Sequence, residues 1–127
     1  MAIRTELNVR LPNSPGALAT VCRLMSDERV NILAMSVDVA GLLRLIVDNH
    51  VHAAGALRER HYAVAERAVI LVAPPNAAGG LTPTLVLLAD AGVNLEYAYG
   101  TSSETSAVAA VVLGVEDAVR AAAAAGV

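Results

Sequence analysis

The chain contains no Phe, no Trp and no Lys, and its 127 residues include three Tyr and one Cys. A core without large aromatic rings must be built from small aliphatic side chains that pack closely. The hydrophobic content of 56% with 17% charged residues excludes an intrinsically disordered chain. The length leaves room for one ordinary domain or two very small ones.

Basic charge is scarce, because the nine basic residues are all scattered Arg and the net charge is −3. A surface that binds nucleic acid would need a clustered basic face. Three Tyr also offer too few aromatic platforms for base stacking. The sequence therefore predicts no nucleic-acid partner.

The single Cys22 cannot form an internal disulfide, which is typical of a protein from a reducing compartment. The N-terminal residues reach Glu6 before any apolar core begins, so they do not resemble a signal peptide. No apolar run approaches the ~18 residues that a membrane span needs. We therefore expect a cytoplasmic protein with no membrane partner.

An internal repeat is found when the chain is shifted by 63 residues against itself. Residues 12–37 and 75–100 then match without a gap at eight of 26 positions, which is hard to obtain by chance. The sequence therefore indicates a duplication. The identical pairs are Pro12/Pro75, Asn13/Asn76, Gly16/Gly79, Leu18/Leu81, Leu24/Leu87, Asp27/Asp90, Val30/Val93 and Asn31/Asn94.

Hydrophobic periodicity and turn signals predict the order β-α-β-β-α-β for the first copy, and the same order without the last strand for the second. In the first copy Ser14 is the predicted N-cap of the first helix, and Pro15 takes its first position. The other predicted elements of this copy are strands at 6–11, 30–39, 42–47 and 62–64 and a helix at 50–60. The second copy has predicted strands at 69–73, 93–100 and 106–115 and helices at 80–91 and 116–125.

This order predicts an α+β protein made of two ferredoxin-like units in tandem, at residues 1–67 and 68–127, with helices on one face of each antiparallel sheet. The second unit lacks its last strand, which leaves a sheet edge that invites pairing with another chain. The second strand is also apolar on both sides, so its helix-free face needs a cover. We therefore predict a homo-oligomer, a dimer or higher. Leu33, Met35, Val37 and Val39 are predicted on one side of that strand, and Val30, Ile32 and Ala34 on the other.

Several motifs resemble the ACT family of small-molecule-binding regulatory domains, in the tandem form that makes up a whole protein. The first copy carries Asn13-Ser14-Pro15-Gly16-Ala17-Leu18 at its first strand-to-helix turn and Val30-Asn31-Ile32 at the entry to its second strand. Residues 42–48 in the third strand and residues 76–81 and 91–97 of the second copy also look like the family. The resemblance extends from about Glu6 to the end of the chain.

The resemblance implies a non-catalytic regulatory protein without a cofactor, which binds an amino acid where the first turn of one unit faces a neighbouring unit. The chemistry of this turn agrees, because Gly at a helix start lets a ligand approach the N–H groups that can hold a carboxylate. Asn31 offers both a donor and an acceptor. The candidate ligand-binding residues are Asn13, Ser14, Pro15, Gly16, Ala17, Leu18, Asn31, Ile32, Asn76, Gly79, Gly80, Leu81, Asn94 and Leu95.

Structural interpretations compete with these binding roles. The second turn has Ala77-Ala78 in place of the capping Ser and the Pro, which leaves Asn76 as its alternative cap. The turn glycines could serve only to shape the turns, and the two strand-entry Asn residues could serve only to satisfy backbone groups. Tyr97 and Tyr99 share one strand face, which is typical of a core or a subunit interface but also fits a pocket lining.

No metal or catalytic site is predicted. His50 and His52 would diverge by about 200° on a helix, and no second cluster of ligands accompanies them. Cys22 lies on the apolar stripe of the first helix and is interpreted as packed core. The serines of the second copy have no His in that copy to activate them.

Three functions therefore stay open, and an amino-acid sensor is favoured. The first alternative is an oligomerisation or protein-interaction module of the same fold that has lost its ligand. The second is a small hydrolase, which would need a basic anion cradle, whereas Arg10, Arg23 and Arg44 are scattered.

Overall fold

The computed structural model describes residues 2–127 and has the predicted α+β composition. The first six elements follow the predicted β-α-β-β-α-β order, and a helix, two strands and a helix come after them. In chain order the elements are β1 (Ile3–Arg10), α1 (Ala17–Asp27), β2 (Ile32–Val37), β3 (Leu42–Val47), α2 (His50–Glu59), β4 (Val64–Val72), α3 (Thr82–Asp90), β5 (Tyr97–Thr101), β6 (Ala110–Gly114) and α4 (Ala118–Ala125).

Contacts between residues divide the chain into two units. The first unit is Thr5–Arg67, and the second combines residues 2–4 with Ala68–Val127. The division falls within β1 and within β4, so each of these strands contributes residues to both units. The ranges 1–67 and 68–127 expected from the sequence assign residues 2–4 to the first unit instead.

The first unit has the strand order β2-β3-β1-β4. Strand β3 is antiparallel to both β1 and β2, so that Leu45 lies opposite Leu7 on one side and Met35 on the other. Side chains of α1 and α2 pack with one face of these strands into an aliphatic core, as the lack of large aromatic residues requires. Its buried members include Leu7, Val9, Val21, Leu24, Met25, Leu43, Leu45, Val47 and Leu57.

Strand β2 contains a register shift between Ile32 and Ala34. Because residues that lie opposite each other share a face of the sheet, Met35 and Val37 lie on the core side, opposite Leu45 and Leu43. The predicted strict alternation, which grouped Ile32 with Ala34, is therefore wrong, since the irregularity places Ile32 on the core side as well.

The second unit has the strand order β5-β6-β4-β1, in which β1 contributes residues 3–4. The Leu71 N–H donates to the Ala2 carbonyl at 2.7 Å, and the half-buried Ala2 and Ile3 pack against the core of this unit. No strand follows α4 in residues 2–127, as predicted. The expectation of an open edge is nevertheless wrong, because the N-terminal residues occupy the position of the missing strand.

Strand β4 is one continuous strand, whereas the sequence predicts separate strands at 62–64 and 69–73. Exposed Glu66 and half-buried Arg67 lie between the two predicted pieces and made them look interrupted. An extended strand accommodates such polar positions on an open face.

Among the helices in residues 2–127, none has both the length and the apolar character that crossing a bilayer requires.

Candidate ligand-binding site at the first turn

Helix α1 begins at Ala17, later than the sequence predicts. Its N-cap is Gly16, whose φ of 79° lies in the left-handed region that favours glycine. The predicted cap at Ser14 is wrong, because no side chain caps this helix and Pro15 lies before it. The Ser14 carbonyl instead accepts from the Ala17 N–H at 3.3 Å, and its N–H donates to the Pro12 carbonyl at 2.9 Å. Backbone groups thus hold the turn, and the left-handed residue sets the helix start.

The N-terminus of α1 presents backbone donors that are not used. The Thr20 N–H and hydroxyl both donate to the Gly16 carbonyl at 3.0 Å. Within residues 2–127 the N–H groups of Leu18 and Ala19 have no acceptor, and the first turn of α1 has no acidic residue. A helix end with open N–H groups and its positive dipole charge is suited to an anion.

These donors lie at a cleft of about 480 Å³ in the first unit. The turn and the start of α1 form one wall, and the end of β2 with the β2–β3 turn forms the other. Five of the predicted ligand-binding residues line it, and Pro15 does not. The lining residues are Leu11, Pro12, Asn13, Ser14, Gly16, Ala17, Leu18, Ala19, Val37, Asp38, Val39, Ala40 and Gly41.

The β2–β3 turn forms the second wall of the cleft, which sequence reasoning missed. The Asp38 carboxylate accepts from the Leu42 N–H at 3.1 Å, and its other oxygen lies 3.6 Å from the Arg44 guanidinium. Gly41, at a φ of 83°, donates to the Asp38 carbonyl at 3.0 Å and accepts from the Leu11 N–H at 2.9 Å. The turn is thereby fastened to the residue that follows β1. The predicted order of elements could have located this wall, because a β-α-β-β order puts the β2–β3 turn at the same end of the sheet as the first turn.

Asn31 and Ile32 are not part of this cleft. Asn31 precedes β2, whose other end is at Val37, so about 20 Å of extended strand separates it from the cleft. Its N–H donates to the Asp48 carboxylate at 3.0 Å and its carbonyl accepts from the Asp48 N–H at 3.1 Å. Ile32 is half-buried against the core. Within the first unit the structure does not bring these two residues to the first turn.

The second turn is closed by the β5–β6 loop. The Asn76 side-chain amide donates to the carbonyls of Ser103 at 2.8 Å and Ser106 at 2.9 Å, and its oxygen accepts from the Ser102 hydroxyl at 3.0 Å. Helix α3 begins at Thr82 after the uncapped Leu81, so the alternative in which Asn76 caps this helix is wrong.

The two glycines of the second turn have different structural roles. Gly79 has a φ of 74° and open space around its Cβ position. A Cβ on Gly80 would lie 2.0 Å from the Pro75 carbonyl oxygen, so only glycine fits there.

Asn94 and Leu95 lie away from the second turn as well. Asn94 lines a larger cleft of about 730 Å³ in the second unit, together with Glu116, Asp117 and Arg120. Asp117 caps α4 by accepting from the Arg120 N–H at 3.1 Å, and Leu95 is half-buried against the core. The predicted residues of the second copy are therefore divided between two places.

The tyrosines and the histidine that the sequence analysis considered for a pocket or a metal site contact other side chains. The rings of Tyr97 and Tyr99 stack with centroids 6.3 Å apart and planes 9° apart, and the ring of Tyr97 lies where a side chain on Gly114 would be. His52 Nε2 lies 3.2 Å from the Glu28 carboxylate. The part of the chain that the structure describes has no group of three side chains that could hold a metal ion.

One comparison with known proteins names a family for the first unit. Residues 5–63 match the family model described as ACT domain. The crystal structure of protein BT0572 from Bacteroides thetaiotaomicron is 28% identical with a TM-score of 0.89, over 97% of this chain and 86% of that one. No curated protein matches.

Two further solved structures show the same fold at lower identity. The regulatory subunit of aspartate kinase from Thermus flavus has a TM-score of 0.65 at 17% identity, over 99% of this chain and 95% of that one. The ligand-free form of the regulatory subunit from Thermus thermophilus has a TM-score of 0.66 at 19% identity, over 98% and 90%.

Proposed function

Because residues 5–63 match the ACT domain family model, we propose that the protein is a non-catalytic regulatory protein that binds a free amino acid at its first turn. The observation that carries the proposal is the uncapped start of α1, whose open N–H groups lie at the cleft of about 480 Å³. Clefts of this size suit small molecules. The regulatory role is also supported by the fold that the chain shares with regulatory subunits of aspartate kinase.

The chemistry of the cleft matches the parts of an amino acid. The N–H groups of Leu18 and Ala19 supply donors for an α-carboxylate at the positive helix end. Asn13 is exposed in the lining and its amide oxygen can accept from an α-ammonium group. Val37 and Val39 offer apolar surface for a side chain.

A second copy of the chain would complete this site. Strand β2 is at the end of the strand order, and its residues Leu33, Met35 and Val37 are exposed, as is Val39 in the turn that follows. Such an edge favours pairing with another strand. In an antiparallel β2–β2 pair around a two-fold axis, the start of one β2 lies beside the end of the other. Asn31 and Ile32 of one copy would then lie at the first-turn cleft of its neighbour.

The first test is thermal unfolding of the protein against each of the twenty amino acids at millimolar concentration. A ligand at ~100 times its dissociation constant adds about 2.7 kcal/mol, which is a shift of several degrees for a chain of this size. We expect one or two selective shifts. A flat response from a folded oligomer would reject the sensor and favour the alternative of a ligand-free interaction module.

The Ala19→Asp variant tests the position of the site. Ala19 is in the first turn of α1, so a carboxylate at this position should stabilise the helix by about 0.3–1 kcal/mol. The same carboxylate would occupy the place of the ligand carboxylate and repel it. We expect unchanged or raised stability together with loss of the ligand-induced shift. The matched control is Val51→Asp in the first turn of α2, which is exposed and outside the cleft. A shift that survives in Ala19→Asp would remove this turn from the site.

Mixing two variants tests the contribution of a second copy. Asn31→Ala should abolish the ligand-induced shift although Asn31 lies far from the cleft of its own chain. Mixed dimers of Ala19→Asp and Asn31→Ala chains contain one intact pairing of turn and Asn31, so the mixture should regain part of the binding. Normal binding by Asn31→Ala alone, or no recovery in mixtures that have exchanged subunits, would reject the shared site.

A further inference from the structure

Three arginines of the first unit lack the hydrogen-bond or ion-pair partners that its other arginines have. Arg58 and Arg44 form ion pairs with Glu66 and Asp38, and Arg10 donates to a backbone carbonyl at 2.8 Å. Over residues 2–127 the side chains of Arg23, Arg29 and Arg60 form no hydrogen bond or ion pair. Two of these three, Arg23 and Arg60, line one cleft.

This cleft of about 370 Å³ is separate from the first-turn cleft and combines groups from different elements. Arg23 is on α1, and Arg60 is the residue after α2. Leu24 is buried, and Tyr62 packs against the core with its hydroxyl unbonded among residues 2–127. The complete lining is Thr20, Arg23, Leu24, Asp27, Arg60 and Tyr62.

The lining carries two cations and one anion. The Asp27 carboxylate follows Arg23 by four positions, a spacing that puts both on one face of the helix, yet no ion pair forms between them. The cleft therefore has a net charge of about +1, because two arginines face a single carboxylate. The Thr20 hydroxyl is used, since it donates to the Gly16 carbonyl.

We propose that this cleft binds the phosphate group of a small phosphorylated metabolite. Guanidinium groups present forks of N–H donors that match phosphate oxygens, and two of them with a phenol hydroxyl can serve all three terminal oxygens. A buried aliphatic floor and the half-buried ring of Tyr62 offer a place for an apolar part of the ligand. The proposal does not depend on amino-acid binding at the first turn.

Titration with inorganic phosphate at low ionic strength tests this assignment, with acetate as the carboxylate comparison. Arg23→Gln and Arg60→Gln should each weaken phosphate binding about tenfold, because each removes charge-assisted hydrogen bonds. Arg29→Gln is the matched control, since it removes the same charge from an exposed arginine outside the cleft and should change binding less than twofold. Equal losses in all three variants would reject the site in favour of general electrostatic attraction.

The Asp27→Asn variant is expected to bind phosphate more tightly than the unaltered protein. Removing the one carboxylate of the cleft should tighten phosphate binding severalfold, which impaired folding would not produce. Phosphate binding that is absent in the unaltered protein, or no tighter than acetate binding, overturns the proposal. An unchanged affinity in Asp27→Asn does so as well, because the phosphate would then bind elsewhere.

Discussion

The two strand-to-helix turns of the duplication have the same place in their units, and they differ in what lies against them. The first turn borders an open cleft, and its Asn13 side chain makes no hydrogen bond within residues 2–127. The second turn begins with the equivalent Asn76, whose side chain makes three hydrogen bonds to the loop before β6. One asparagine is available to a ligand, and the other is used as a structural clamp.

The connection between the two neighbouring strands explains this difference. In the first unit the turn at residues 38–41 is tight and fastened to the end of β1. In the second unit residues 102–109 form a longer loop, and its residues return to the turn. The Asn76 N–H donates to the Ala107 carbonyl at 3.0 Å, and the Ala109 N–H donates to the Pro74 carbonyl at 2.9 Å. A shared motif thus does not by itself indicate a shared function.

The largest expected effect is at Gly80, which occupies the position of Ala17 in the first copy. Gly80→Ala would put a Cβ 2.0 Å from the Pro75 carbonyl oxygen and 3.1 Å from that of Ala77. Because backbone atoms cannot yield as a flexible side chain does, we expect a loss of about 3 kcal/mol in urea unfolding. Gly55→Ala, within α2 and with open space around it, should instead stabilise by about 0.5–1 kcal/mol. A Gly80→Ala variant as stable as the unaltered protein would show that the second turn is as open as the first.

A smaller effect is expected when the two equivalent asparagines are compared. Asn76→Ala removes three hydrogen bonds from a half-buried side chain and leaves two carbonyls without their donor, so it should cost about 2 kcal/mol. Asn13→Ala removes none and should change stability by less than about 0.5 kcal/mol. Urea unfolding of both variants measures the difference. Similar losses would contradict the division into an open and a clamped turn.

Local sequence patterns predicted most elements of the fold, and the parts they missed depend on distant residues. Alternation and helical spacing located β3 and α2 within one residue of their observed bounds. The pairing of residues 2–4 with β4 joins segments far apart in the chain, so no local pattern reports it. The register shift in β2 was also invisible, because it depends on how β3 lies against it.

The candidate site was predicted only in part for a similar reason. The motif located the turn residues, but a binding cleft needs a second wall, and Val37–Gly41 became recognisable only from the topology. Asn31 was grouped with the turn by resemblance, although the whole length of β2 separates them in one unit. The predicted cap at Ser14 failed because the left-handed Gly16 moves the start of α1 past it.

The smallest expected effect compares the starts of the two helices in the first unit. Asn49 caps α2 by accepting from the His52 N–H at 3.2 Å, so Asn49→Ala should cost about 1 kcal/mol. Ser14→Ala removes a hydroxyl that caps nothing and should cost less than about 0.3 kcal/mol in the same urea measurement. Equal losses would mean that Ser14 does cap α1 in solution. The N–H groups at that helix start would then be occupied, and the difference between an open first turn and a closed second turn would disappear.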